Sequence, residues 1–103
     1  MKLRAVNEWD ALRAVVVGTA HSMGGTPLAR DAYDPKSKEH ILAGTFPLEK
    51  DCTHELDALT SLLEARDIQV FRPESIDNLN QIFARDIGVV IDDRFVVTRV
   101  ISE

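Results

Sequence analysis

The sequence predicts an α/β fold, and three stretches predict it. Leu12 to Thr19 carries three consecutive valines ahead of Gly18, the pattern of a short strand covered on both faces. Leu48, Cys52, Leu56, Leu59, Leu62 and Leu63 recur at helical spacing and form one apolar stripe. Ile68-Gln69-Val70-Phe71 then alternates as a strand and is stopped by Pro73. A strand, a long helix and a second strand in that order read as a β-α-β unit.

The elements follow one another with clear punctuation. After the valine strand comes a long irregular segment, residues 19–47, rich in turn chemistry. Met23-Gly24-Gly25-Thr26-Pro27 and Asp34-Pro35-Lys36-Ser37 both lie in it. Glycine permits positive φ, and proline fixes φ and removes a donor. A loop of that length in a small domain is usually a lid or a linker, and a short helix over Lys38 to Ala43 is expected inside it. Pro47 then suits the first position of the leucine-striped helix. Glu49 and Asp51 suit its positive end, and Arg66 falls in its last turn. Lys50, Thr53, His54, Asp57, Thr60, Ser61 and Glu64 lie off the stripe and are expected to face water. Ile87 to Ile91 and Arg94 to Arg99 flank Asp92-Asp93, which predicts a hairpin closed by a two-residue type I′ turn.

At 103 residues the chain suits one domain, expected to span residues 1–103. Twelve Lys and Arg against seventeen Asp and Glu give a net charge of −5. That sign disfavours nucleic acid, whose phosphates are bound by Lys and Arg, and suits a cationic small molecule. The longest apolar runs, Ala14 to Val17 and Val89 to Ile91, are far too short for a membrane span. The mixed N-terminal residues do not form a signal peptide. A single cysteine excludes an internal disulfide and fits a reducing, cytoplasmic setting.

The most informative stretch for chemistry is Asn80-Gln81-Ile82-Phe83-Ala84-Arg85-Asp86-Ile87-Gly88. Arg85 and Asp86 stand together at the mouth of an expected buried strand, where a charge needs a partner or a ligand to offset desolvation. A carboxylate there can hold a planar guanidinium through two parallel hydrogen bonds. The alternative is a structural ion pair at a strand end.

Three motifs carry a resemblance. Asn7-Glu8-Trp9-Asp10 with Leu12 and Val15-Val16-Val17-Gly18 resembles the opening strand of the amidinotransferases. Phe71-Arg72-Pro73-Glu74-Ser75-Ile76-Asp77 resembles their strand exit, and Asn80 to Asp93 resembles their Phe-x-Arg-Asp segment with its hairpin. These enzymes belong to the guanidino-group-modifying superfamily, with arginine deiminase and dimethylarginine dimethylaminohydrolase. The resemblance implies a ββαβ propeller-blade unit, the N-terminal portion of a five-bladed α/β propeller that is incomplete in this chain. It also implies amidino transfer from, or hydrolysis of, an arginine-like guanidino substrate through a covalent cysteine intermediate. By position, Asp86 matches the guanidinium-clamping aspartate and Phe83 the aromatic residue lining the pocket. Arg85 matches the arginine beside that aspartate, for which a structural role is expected.

The family's nucleophile and proton shuttle have no counterpart here, so no catalytic residue is assigned and a truncated, inactive protein is expected. Cys52 lies on the helix stripe and reads as a core residue. His21, His40 and His54 fall in no family motif. On a helix the side chains of Cys52 and His54 diverge, so they cannot share a metal, and neither metal nor cofactor is expected. Gly18 to Thr26 lacks the Gly-Lys-Ser/Thr ending of a phosphate loop and reads as a surface loop that the resemblance would make a lid. Trp9 reads as a packing residue beside the first strand. Lys36 and Lys38 read as solvated charges. Two other readings stay open: a module that completes its sheet by self-association, and a non-catalytic binder of a guanidino compound. In a third, a complementing polypeptide supplies the missing part.

Overall fold

A computed structural model describes residues 2–99, so residues 1 and 100–103 of the expected domain lie outside the described residues. The chain is mixed α/β. Strand β1 (Ala14–Val16) is followed by helix α1 (Pro35–Ala43), helix α2 (Glu49–Glu64), strand β2 (Gln69–Phe71), and the hairpin β3 (Gly88–Ile91) and β4 (Arg94–Val97). Two single turns of 3-10 helix, Ala29–Asp31 and Ala84–Asp86, interrupt the connections.

The β-α-β expectation holds. β1 and β2 pair in parallel, with Ala14 opposite Gln69, Val15 opposite Val70 and Val16 opposite Phe71. The Gln69 amide donates to the Arg13 carbonyl at 2.9 Å, and the Val17 amide donates to the Phe71 carbonyl at 2.9 Å, carrying the ladder past both ends. Helix α2 supplies the crossover and packs on β2. The hairpin also holds as expected, with Ile91 opposite Arg94 across Asp92-Asp93. Its turn differs in detail. A type I′ turn needs positive φ at both central residues, but only Asp92 takes one, at 56°.

Residues 19–47 hold the expected helix together with a 3-10 turn. Four other expectations are corrected. Helix α1 begins at Pro35 rather than Lys38, since the Asp34 carboxylate accepts from the Ser37 amide at 2.9 Å and Pro35 occupies the first turn. Helix α2 starts after Leu48, whose extended backbone (ψ 144°) keeps Pro47 outside, and it ends at Glu64, leaving Arg66 beyond it. Asp67, at φ 60°, then turns the chain toward β2. Off-stripe Thr53 and Thr60 are half-buried, whereas the stripe residues Leu48, Leu59 and Leu62 remain exposed.

The fourth correction concerns the strands. β1 is not covered on both faces: Ala14 and Val15 are half-buried and Val16 is 48% exposed. Among the described residues, α2 is the helix packed on this two-stranded sheet, and its other face is left open. Val17, Gly18, Thr19 and Ala20 are the buried residues among those described. The hairpin is likewise a separate two-stranded sheet, with every residue of β4 exposed. An accessible surface of 8500 Å² compares with roughly 5,800 Å² for a compact monomer of this mass. The radius of gyration, 15.8 Å, likewise exceeds the roughly 13 Å expected for this chain length. No helix among the described residues is long and apolar enough to cross a membrane.

Candidate functional site

The Asn80 segment closes on the exit of β1. There the Thr19 amide donates to the Gln81 carbonyl at 3.0 Å, bridging the first strand to the Asn80 segment. Gly18 is what allows this approach, since a Cβ on it would fall inside the Gln81 and Ile82 carbonyl groups. The Gly18 carbonyl in turn accepts from Arg72 Nε at 3.1 Å. The same guanidinium reaches back to α2 through Nη1, 3.1 Å from Thr60 Oγ1 and 3.2 Å from Asp57 Oδ1. Three segments far apart in sequence thus converge on one glycine. Gln81 adds a further tie, its side-chain amide accepting from the Ile76 amide and donating to the Glu74 carbonyl, both at 2.8 Å.

Phe83, Arg85 and Asp86 lie immediately beyond this junction, in and beside the Ala84–Asp86 turn. The Asp86 amide donates to the Phe83 carbonyl at 3.1 Å, and the Ile87 amide to the Ala84 carbonyl at 3.2 Å, which fixes their backbone. The Thr98 hydroxyl donates to the Asp86 carbonyl, so the turn is tied to the end of β4. Arg85 Nε lies 3.4 Å from Asp86 Oδ1. The Arg85 guanidinium carbon sits 5.7 Å from the centre of the Phe83 ring.

The structure therefore brings the three sequence-derived site residues together, but in a different setting from the one expected. The side chains of Arg85 and Asp86 are 82% and 58% exposed. The desolvation that sequence reasoning placed at a buried strand mouth is absent, because β3 itself is only partly covered. An ion pair this exposed contributes about 0–1 kcal/mol. Arg72, which the sequence marks only as part of the Phe71 to Asp77 motif, is the residue that ties the junction together. Its signal was present: an arginine directly after a predicted strand has backbone carbonyls within reach.

The other candidates are now placed. Cys52 is half-buried on α2 rather than fully buried, and burial pushes its thiol above the ordinary range, with the Glu55 and Asp51 carboxylates adding to the shift. The thiol form is thereby favoured, which opposes nucleophilic attack. His54 is exposed, while His40 Nδ1 pairs with Thr45 Oγ1 at 2.8 Å beside the end of α1. Among the described residues, no group of three or more His, Cys, Asp or Glu is placed to hold a metal ion. Trp9 is solvent-exposed rather than packed beside β1, because the Asn7 side chain accepts from the Trp9 and Asp10 amides and folds that segment into a turn of its own. Comparison with known proteins finds no matching family model, no similar curated protein and no similar solved structure.

Proposed function

We propose that this chain is a blade-like unit of an amidinotransferase-type protein of the guanidino-group-modifying superfamily, and that Asp86 and Phe83 form a guanidinium-binding pair in it. The observation that carries the reading is the seat of Arg85. Its own guanidinium lies near the Phe83 ring and beside the Asp86 carboxylate. An aromatic ring and a carboxylate meeting one planar cation are the contacts that an arginine-like ligand would use. In this reading Arg85 is a tethered competitor, and a free guanidino compound binds by displacing it. Convergence of the three resembling motifs at Gly18 supports the same reading.

Turnover by the family's route needs a thiolate at near-attack distance from the guanidinium carbon. Burial raises the Cys52 thiol, which disfavours it for that role, and in this reading the chain by itself is a binder. The cysteine and histidine come from further blades or from a complementing polypeptide. A second reading, an interaction module that completes its sheets by association, is favoured by the 8500 Å² of accessible surface.

An amide-resolved NMR titration with arginine tests the first reading. Shifts are expected at Phe83 to Gly88, and Asp86→Asn should abolish them without changing the dispersion of the spectrum. Arg85→Ala should tighten binding up to about tenfold, the equivalent of one exposed cation–π contact and one exposed ion pair. A dispersed spectrum unmoved by arginine in both the parent chain and Arg85→Ala would end the proposal.

A further inference from the structure

Strand β4 is an open edge with a defined hydrogen-bonding parity, and that parity selects a partner. The Thr98 amide donates to the Ile87 carbonyl at 3.1 Å, and Val96 pairs with Val89 in the same register. Backbone groups of Arg94, Val96 and Thr98 therefore point toward β3, because hydrogen-bonded pairs alternate along an antiparallel ladder. Those of Phe95, Val97 and Arg99 point away from it, and among the described residues no strand lies beside them. Beyond the end of β3, Asp92 of the turn exchanges both backbone hydrogen bonds with Ala5, at 2.7 and 2.8 Å. β4 differs from β3 in being flanked by opposite charges, Asp93 and Arg99, at the two ends of its outward-pointing set.

We infer that β4 pairs antiparallel with β4 of a second copy of this chain, with Val96 opposite the partner's Val96 on the two-fold axis. Only outward-pointing groups can join the new ladder, so Phe95, Val97 and Arg99 must meet one another or Asp93. That requirement excludes the register placing Arg94 opposite Arg99. In the register centred on Val96, Phe95 faces the partner's Val97 and Arg94 faces the partner's Thr98. Asp93 then faces the partner's Arg99, and symmetry makes each of these pairs twice. Registers centred on Phe95 or Val97 lose the opposite-charge pair and set an arginine against an apolar residue. The chosen register alone is complementary in both charge and apolarity.

The surface to be covered is available. Val97 is 73% exposed, and Phe95 and Val96 are exposed beside it. The excess over a compact monomer, roughly 2,700 Å², is more than the roughly 800 Å² that each partner contributes to a stable interface. β4 carries no proline or lysine, two of the devices that keep natural edges apart. The inference rests on the association reading above and is independent of the guanidinium pair.

Sedimentation equilibrium on the full chain and its charge variants tests it. The parent chain is expected to form a dimer. Asp93→Arg and Arg99→Asp should each weaken it by roughly tenfold, since each turns two cross-strand attractions into repulsions. An equimolar mixture of the two variants should recover the parent affinity, because only the mixed dimer restores both pairs. A second readout uses Val96→Cys in a Cys52→Ser background. A disulfide-linked dimer is expected there on air oxidation, because facing residues of a non-hydrogen-bonded pair lie at disulfide distance. Phe95→Cys should cross-link far less. A chain that is folded and monomeric at its solubility limit overturns both the pairing and the association reading. A dimer indifferent to both charge reversals and to the cysteine position overturns this pairing while leaving association in place.

Discussion

Two arginines show how much the setting of a charge matters. Arg85 is 82% exposed with one carboxylate contact, so its pairing holds little of the fold together. The Arg72 side chain is 26% exposed and joins the end of β1 to α2 through three acceptors. The bond to the Gly18 carbonyl matters most, because that carbonyl sits in a buried residue. Removing its donor leaves it unsatisfied, whereas the Asp57 carboxylate can return to water. Arg72→Ala should therefore destabilise the chain by about 2 kcal/mol, and Arg72→Lys should recover less than half, since an ammonium cannot reach both directions at once. Urea denaturation measures both. A cost within about 0.5 kcal/mol, the range of ordinary surface substitutions, would remove Arg72 from this role.

Among the elements, α1 is held by its ends. Its N-cap is Asp34, its first residue is Pro35, and Gly44 closes it at φ 72°, where its amide reaches the His40 and Ile41 carbonyls. The hydrogen bonds from Ser37 hold the Asp34 carboxyl below the ordinary carboxylate range. A carboxyl whose pKa is lowered by folding contributes stability above its unfolded value, roughly pH 3.9. That contribution is lost as pH falls through the lower folded value. Hydrogen exchange at the Ser37 amide should accordingly show the first turn of α1 loosening in acid. Asp34→Asn keeps a capping oxygen and should make the turn insensitive to pH over that range. An identical acid response in the variant would assign the loosening to another group. Helix α2 contrasts with this: it lacks a side-chain cap at Leu48 and depends on Cys52, Leu56 and Leu63 packing inward.

The whole molecule is under-buried. Unfolding a compact chain of this mass exposes roughly 10,900 Å², whereas this one would expose roughly 8,200 Å². Because the denaturant slope follows exposed surface, the urea m-value of the dilute chain should be about three-quarters of that for a compact domain of equal length. The slope per chain should rise toward the full value when the exposed strands are covered by a second copy or by a complementing polypeptide. A full-sized m-value in dilute, monomeric solution would show that the isolated chain closes its own core.

The sequence alone determined what depends on neighbours a few residues apart. The period of Cys52, Leu56 and Leu63 specified α2, and the apolar runs flanking the two-residue Asp92-Asp93 connection specified the hairpin and its register. The caps of α1, Asp34-Pro35 and Gly44, are equally local, yet Asp34 to Ser37 reads as a turn in the sequence, because with Ile41 and Leu42 as its main apolar residues the helix lacks the stripe that marks α2. The adjacency of Phe83, Arg85 and Asp86 was written in one short segment. Only the tertiary structure decided that Arg72 would span 54 residues to reach the Gly18 carbonyl. It also decided that Gly18 would let the Asn80 segment close on β1, and that the apolar strands would stay open. Such contacts depend on which surfaces the packed elements leave uncovered, and apolar periodicity marks a face for burial without naming what buries it.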